Sequence, residues 1–122
     1  MRAVVAAGLA LLVAVGVAPA QTLDPQVAGA LRVEWQRVTD RPGIEGYVYN
    51  DSPYRIGLVR LRVESRDAPD QPPTPSLAWV YGDVPARSRW YFRVRLPSRS
   101  EVVAVTIESF HLIAREPPRE SP

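Results

Sequence analysis

Residues 89–96 read Arg-Trp-Tyr-Phe-Arg-Val-Arg-Leu. Trp90, Phe92, Val94 and Leu96 fall on one side of an extended chain, and Arg89, Tyr91, Arg93 and Arg95 on the other. A period of two residues sustained over the whole stretch belongs to a β-strand with one face on a core and one in water. An apolar face of that kind is covered by a second sheet, so further strands are expected on both sides of it.

The same pattern recurs along the chain. Leu31 to Gln36 alternates, and Arg41-Pro42-Gly43 then marks a turn. Ile44, Gly46 and Val48 share a face, with Glu45, Tyr47 and Tyr49 on the other. Asn50-Asp51-Ser52-Pro53 is a second turn, where short polar side chains bond the backbone. It also matches a glycosylation sequon, but Pro53 follows directly, and it is read as a turn. In the run from Ile56 to Ser65, Val59, Leu61 and Val63 alternate with Arg60, Arg62 and Glu64. Ile56 and Leu58 have the opposite parity, which predicts a bulge between Gly57 and Val59. Leu77, Trp79 and Tyr81 mark the next strand, and Gly82 to Ser88 turns the chain toward the 89–96 strand. A last strand runs from Val102 to about Ile113, with Val103, Val105 and Ile107 on one side, and its length and apolar density predict a central position. Proline cannot donate to a sheet ladder, and the prolines after the first twenty residues fall between these runs. The expected fold is therefore all-β: a small Ig-like antiparallel β-sandwich of six to seven strands. Trp35, Trp79 and Trp90 are expected to anchor its core, with sugar stacking as the alternative for Trp79.

The chain has 122 residues, and its first twenty carry an address. Arg2 precedes an uncharged run from Ala3 to Val17, and Ala18-Pro19-Ala20 supplies the small residues of a cleavage site. This is the three-part pattern of a secretory signal peptide, too short to span a bilayer comfortably. The domain reading is a signal peptide at 1–20, an N-terminal linker at 21–30, a sandwich at 31–114 and a disordered tail at 115–122. The expected location is periplasmic or secreted, with no stable transmembrane span after cleavage.

All 15 basic residues are Arg, against 13 acids, for a formal charge of +2. Loss of Arg2 with the leader brings this close to neutrality, so no nucleic-acid partner is expected. The absence of Cys excludes a disulfide scaffold and a thiolate metal site. A small exported domain without disulfides has little stability to spare, which points to a partner or a second copy covering an edge strand.

The order of these features resembles the FxLYD-type domains, small Ig-like sandwiches of exported bacterial proteins. The resemblance rests on Ile44-x-Gly46-x-Val48-x-Asn50, the Val/Leu-rich strand ending near Asp67, and the Pro85 turn leading to Trp90–Leu96. It covers about residues 30–113. Where that family has Phe-x-Leu-Tyr-Asp, this chain has Leu61-Arg62-Val63-Glu64-Ser65, and a proline-rich loop replaces the turn that usually follows. The likeness implies a fold and little chemistry.

Catalysis is poorly supplied, and no enzyme activity and no cofactor are expected. His111 is the only His and lies in no nucleophile motif. Glu64, Asp67 and Asp70 do not have the spacing of a calcium loop, so no metal is expected. The sharper candidate is a surface. Arg89, Tyr91, Arg93 and Arg95 share one strand face, Arg60 and Arg62 another, Tyr47 and Tyr49 a third. Were these strands neighbours, five guanidinium groups and three phenol rings would form one face for binding. The plainer alternative is a solvated face whose Arg side chains pair with Glu45 and Glu64. The expected function is a non-enzymatic binding or assembly module of the cell envelope. It would engage an envelope protein, or itself, by an edge strand or by the Arg/Tyr face. The alternative ligand for that face is an anionic glycan or lipid headgroup.

Overall fold

The structure is a computed structural model that describes residues 24–118. The leader expected at 1–20 and the end of the tail, 119–122, lie outside the described residues. Six strands follow one helical turn: α1 (Pro25–Ala28), β1 (Leu31–Arg37), β2 (Gly43–Asn50), β3 (Tyr54–Arg66), β4 (Thr74–Val80), β5 (Ser88–Arg95) and β6 (Glu101–Arg115). They form two antiparallel sheets of three strands, ordered β1-β2-β5 and β4-β3-β6. The all-β expectation is met, with each strand close to where alternation placed it.

One apolar cluster lies between the sheets. Ile44, Val48, Phe92 and Val94 enter it from the first sheet, and Ile56, Val59, Leu61, Val63 and Phe110 from the second. The alternating positions of β2, β3 and β5 thus meet face to face, and burial of such side chains contributes about 1.5–3 kcal/mol each. The expected bulge in β3 is present: pairing with β6 slips between Gly57 and Arg60. Leu58 there has φ of 46°, which turns it outward and lets Ile56 and Val59 both face the core.

The helical turn belongs to what the sequence reads as a linker. Asp24 caps it by accepting from the Gln26 and Val27 amides, Pro25 supplies a preset φ, and Val27 is buried in the core. The ordered chain also passes residue 114. β6 runs through Arg115, and the Glu116 carboxylate accepts from Arg55 Nε at 2.8 Å and from the Ala86 amide at 3.0 Å.

Three expectations about packing are corrected. β6 is an edge strand, and the central strand of its sheet is β3. β6 pairs with β3 alone, and register shifts interrupt that ladder. One of these falls between Glu64 and Ser65, whose partners are Ala104 and Val102, so Val103 bulges out of the alternation and is exposed while Val105 is buried. Of the three tryptophans only Trp35 packs against the core cluster. Trp35 is half-buried, Trp79 is 40% exposed on the outer face of the second sheet, and Trp90 is 38% exposed over Gly82. On β4 it is Val80 that reaches the core and Ala78 that packs against it, so the large members of that strand face water.

The chain crosses between the sheets at 51–53, at 81–87 and at 96–100. Two of these crossings meet on one side chain. Asn50 has no exposed surface, and its Nδ2 donates to the carbonyls of Tyr54 at 2.8 Å, Pro85 at 3.1 Å and Val84 at 3.3 Å. Its Oδ1 accepts from the Ser52 amide at 3.0 Å and the Ser52 hydroxyl at 2.7 Å. This full use of the amide leaves no room for a glycan there. Asn50→Ala strands several buried polar groups, each costing about 1–3 kcal/mol. It is expected to destabilise the fold by about 3 kcal/mol or more, lowering Tm by about 12 °C in a thermal melt followed by circular dichroism. A change under about 1 kcal/mol would show that other contacts hold the loops.

Candidate functional site: an Arg/Tyr sheet face

Register decides which candidate residues share a surface. β2 lies between β1 and β5, so side chains of equal parity line up in rows across three strands. Arg32, Tyr49 and Arg89 form the first row, Glu34, Tyr47 and Tyr91 the second, and Gln36, Glu45 and Arg93 the third. Arg95 stands opposite Gly43 beyond them. The sheet's other face carries Ile44, Val48, Phe92 and Val94 into the core, so these rows face solvent.

Six of the eight residues singled out from the sequence are therefore brought together: Tyr47, Tyr49, Arg89, Tyr91, Arg93 and Arg95. Arg60 and Arg62 are not. They lie on β3 in the opposite sheet, where Arg60 covers the Trp79 ring at 4.2 Å and Arg62 Nε pairs with Glu64 at 3.2 Å. Parity assigns a side chain to a face of its own strand but does not say which sheet the strand joins. The crossing at 51–53 separates β3 from β2. Arg32 and Glu34 join the face from β1, a membership signalled by their parity and by the short Arg41-Pro42-Gly43 connection that makes β1 the neighbour of β2.

The aromatic groups are fixed against one another. Tyr47 and Tyr91 pack edge to face with centroids 5.8 Å apart, and Tyr47 and Tyr49 lie tilted at 6.2 Å. Two guanidinium groups lie over these rings, Arg32 over Tyr49 at 3.9 Å and Arg89 over Tyr47 at 4.2 Å. The ring faces of Tyr47 and Tyr49 thereby lose part of their open area, while Tyr91 stays about half exposed.

The charges divide the face in two. Near β1, Arg32 Nη1 pairs with Glu34 Oε2 at 2.6 Å. That hydrogen bond, with the Tyr49 hydroxyl next in weight, holds the Glu34 carboxyl below its ordinary value. Tyr91 Oη donates to Glu45 Oε1 at 2.6 Å, which pushes the phenol's pKa up because the carboxylate favours its protonated form. The Tyr49 hydroxyl likewise raises the pKa of Arg89. Glu45 is thus turned to Tyr91 although Arg93 stands opposite it in register. Among the described residues, Arg93 and Arg95 form no ion pair and no side-chain hydrogen bond.

Two hollows open along this sheet. A shallow one of about 430 Å³ has Glu34, Gln36, Glu45, Tyr47 and Tyr91 around it. A smaller one, about 190 Å³, is lined by Arg41, Arg93 and Arg95 at the end of the sheet. Elsewhere, His111 is half-buried opposite Gly57. Of the three acids considered as a metal group, Glu64 pairs with Arg62 and Asp67 accepts from the Ser100 hydroxyl. No group of three metal-ligating side chains occurs among the described residues.

The Tyr91–Glu45 bond makes a direct prediction. Glu45→Gln removes the negative charge and keeps the shape, so Tyr91 is expected to ionise at lower pH than in the parent, read from its ring-carbon resonance during an alkaline NMR titration. An unchanged midpoint would mean that the bond does not persist in solution. Comparison of the chain with protein-family models, curated proteins and solved structures finds no match, and the functional reading therefore rests on this face.

Proposed function

We propose that the chain is a non-enzymatic binding module of the bacterial cell envelope. Its contact surface is the outer face of the β1-β2-β5 sheet, and its partner is an envelope protein. One observation carries the reading: Tyr47, Tyr49, Tyr91, Arg89, Arg93 and Arg95 share one solvent-facing sheet, and two of the arginines are left without an acidic partner among the described residues. Tyr and Arg contribute disproportionately to protein interfaces, since both bury large area while keeping directed hydrogen bonds. An Ig-like sandwich of the FxLYD type, released outside the cytoplasm after removal of residues 1–20, is the setting that fits the leader and the motif order.

The same face also suits an anionic glycan or lipid headgroup, through Arg89, Arg93 and Arg95. The stacked guanidinium groups favour the protein. They occupy ring faces that a sugar would need, while Arg93 and Arg95 beside them have guanidinium groups that match carboxylates.

The test is a pull-down from envelope extract with the tagged chain, in two separate arms. Tyr47→Ser/Tyr91→Ser and Arg93→Ser/Arg95→Ser are each expected to reduce partner recovery at least tenfold, with an unchanged far-ultraviolet spectrum. Equal recovery by parent and both variants would overturn the reading. Retention on an anionic glycan matrix without any recovered protein would replace it by the second.

A further inference from the structure

Each sheet has two open edges: β1 and β5 in the first, β4 and β6 in the second. They are not equivalent as templates for an added strand. The ladder of β6 is repeatedly shifted, and bulges turn an edge away from regular pairing. β4 contains Pro75, which lacks an N–H. On β1 the outward charges, Arg32 and Glu34, are already paired with each other. β5 pairs with β2 residue for residue from Ser88 to Arg95 without a slip.

The backbone phase of β5 follows from one bond. The Leu96 amide donates to the Pro42 carbonyl at 3.2 Å, on the β2 side. In an antiparallel ladder the polar groups of successive residues point to opposite sides. The amides and carbonyls of Arg95, Arg93 and Tyr91 therefore face the open edge. At the far end Trp90 Nε1 donates to the Tyr81 carbonyl at 2.7 Å, which places the Tyr81 turn beside the start of the strand. The clear portion is Tyr91 to Arg95. It contains the two arginines without an acidic partner and ends at the hollow that they share with Arg41. Arg41 is paired with Asp40 at 3.4 Å and Glu45, opposite Arg93, is turned to Tyr91, so the corner holds three guanidinium groups and no carboxylate paired with Arg93 or Arg95. Its floor admits no side chain: a Cβ at Gly43 would sit 2.7 Å from the Val94 carbonyl oxygen.

The geometry points to the Tyr91–Arg95 edge of β5 as the docking site for an extended acidic segment of the partner protein, added as a fourth strand with carboxylates at alternate positions facing Arg93 and Arg95. This rests on the proposed protein-binding reading and specifies the partner's chemistry and mode of contact. Alternate side chains of an extended chain repeat every ~6.8 Å on one face, the spacing of Arg93 and Arg95 themselves. The backbone ladder would supply affinity and the guanidinium–carboxylate pairs register.

The probe is a synthetic peptide with Glu at alternate positions separated by Thr, titrated by fluorescence anisotropy against the full-length chain at low salt. Three comparison peptides carry the same residues with the Glu in one block, the same sequence N-methylated at alternate amides, or Gln in place of Glu. The alternating peptide is expected to bind at least tenfold more tightly than each of the others. Arg93→Ser/Arg95→Ser is expected to lose at least tenfold for it with the fold unchanged by circular dichroism. Equal binding of the blocked or N-methylated peptide would overturn strand addition, and binding indifferent to Arg93 and Arg95 would overturn the site. Binding to phosphatidylglycerol vesicles without binding to the peptide would assign the edge to a lipid surface and overturn the proposal. If the peptide fails while the pull-down still depends on Tyr47 and Tyr91, the edge is wrong and the face reading stands.

Discussion

The amide of Asn50 is the constraint on which the sandwich most visibly depends. It is fully buried, it receives two bonds from Ser52, and it reaches the carbonyls of Tyr54, Val84 and Pro85. Those groups lie in or next to the two segments, 51–53 and 81–87, that carry the chain from one sheet to the other and back. Beside it, Ile56 and Val84 exchange a pair of backbone bonds, and Glu116 ties the end of β6 to Ala86 and Arg55. Backbone polar groups that leave a sheet near the core need partners, because burying them unpaired costs more than the core could spare in so small a domain. One primary amide, with two donors and an acceptor, meets that need for two loops at once.

With that end of the sandwich held, the outer face of the first sheet acquires its order from register alone. β2 is flanked on both sides, so its Tyr47 and Tyr49 sit between polar residues of β1 and β5. The guanidinium groups of Arg32 and Arg89 lie on the rings, and the carboxylates of Glu34 and Glu45 are engaged by Arg32 and Tyr91. The side toward β1 is internally satisfied, whereas Arg93 and Arg95 form no ion pair among the described residues. A face half satisfied and half open has a direction, and its open half borders the one edge strand with an unbroken register and unpaired cationic side chains.

Much of this was legible in the residues. Alternation placed all six strands, and the parity change from Ile56 to Val59 located the β3 bulge. The turn at Asn50–Pro53 was recognisable from its residue types. Its three carbonyl bonds were not, since two go to residues more than thirty positions away. Trp79 misled because size and apolarity argue for burial, while the phase of β4 turns Val80 to the core and Trp79 outward under Arg60. The position of β6 misled for a related reason: composition reports how much apolar surface a strand has, and bulges redistribute it between faces.

For the Arg/Tyr face, the sequence by itself determined which side chains of each strand travel together: Arg89 with Tyr91, Arg93 and Arg95; Tyr47 with Tyr49; Arg60 with Arg62. That follows from the two-residue period of an extended chain, which is local. Only the tertiary structure decided that β2 and β5 are neighbours while β3 crosses to the other sheet, which divides one imagined cluster of five arginines into two. Strand order depends on where long-range loops are pinned, here by Asn50 and Glu116, and no local periodicity records that.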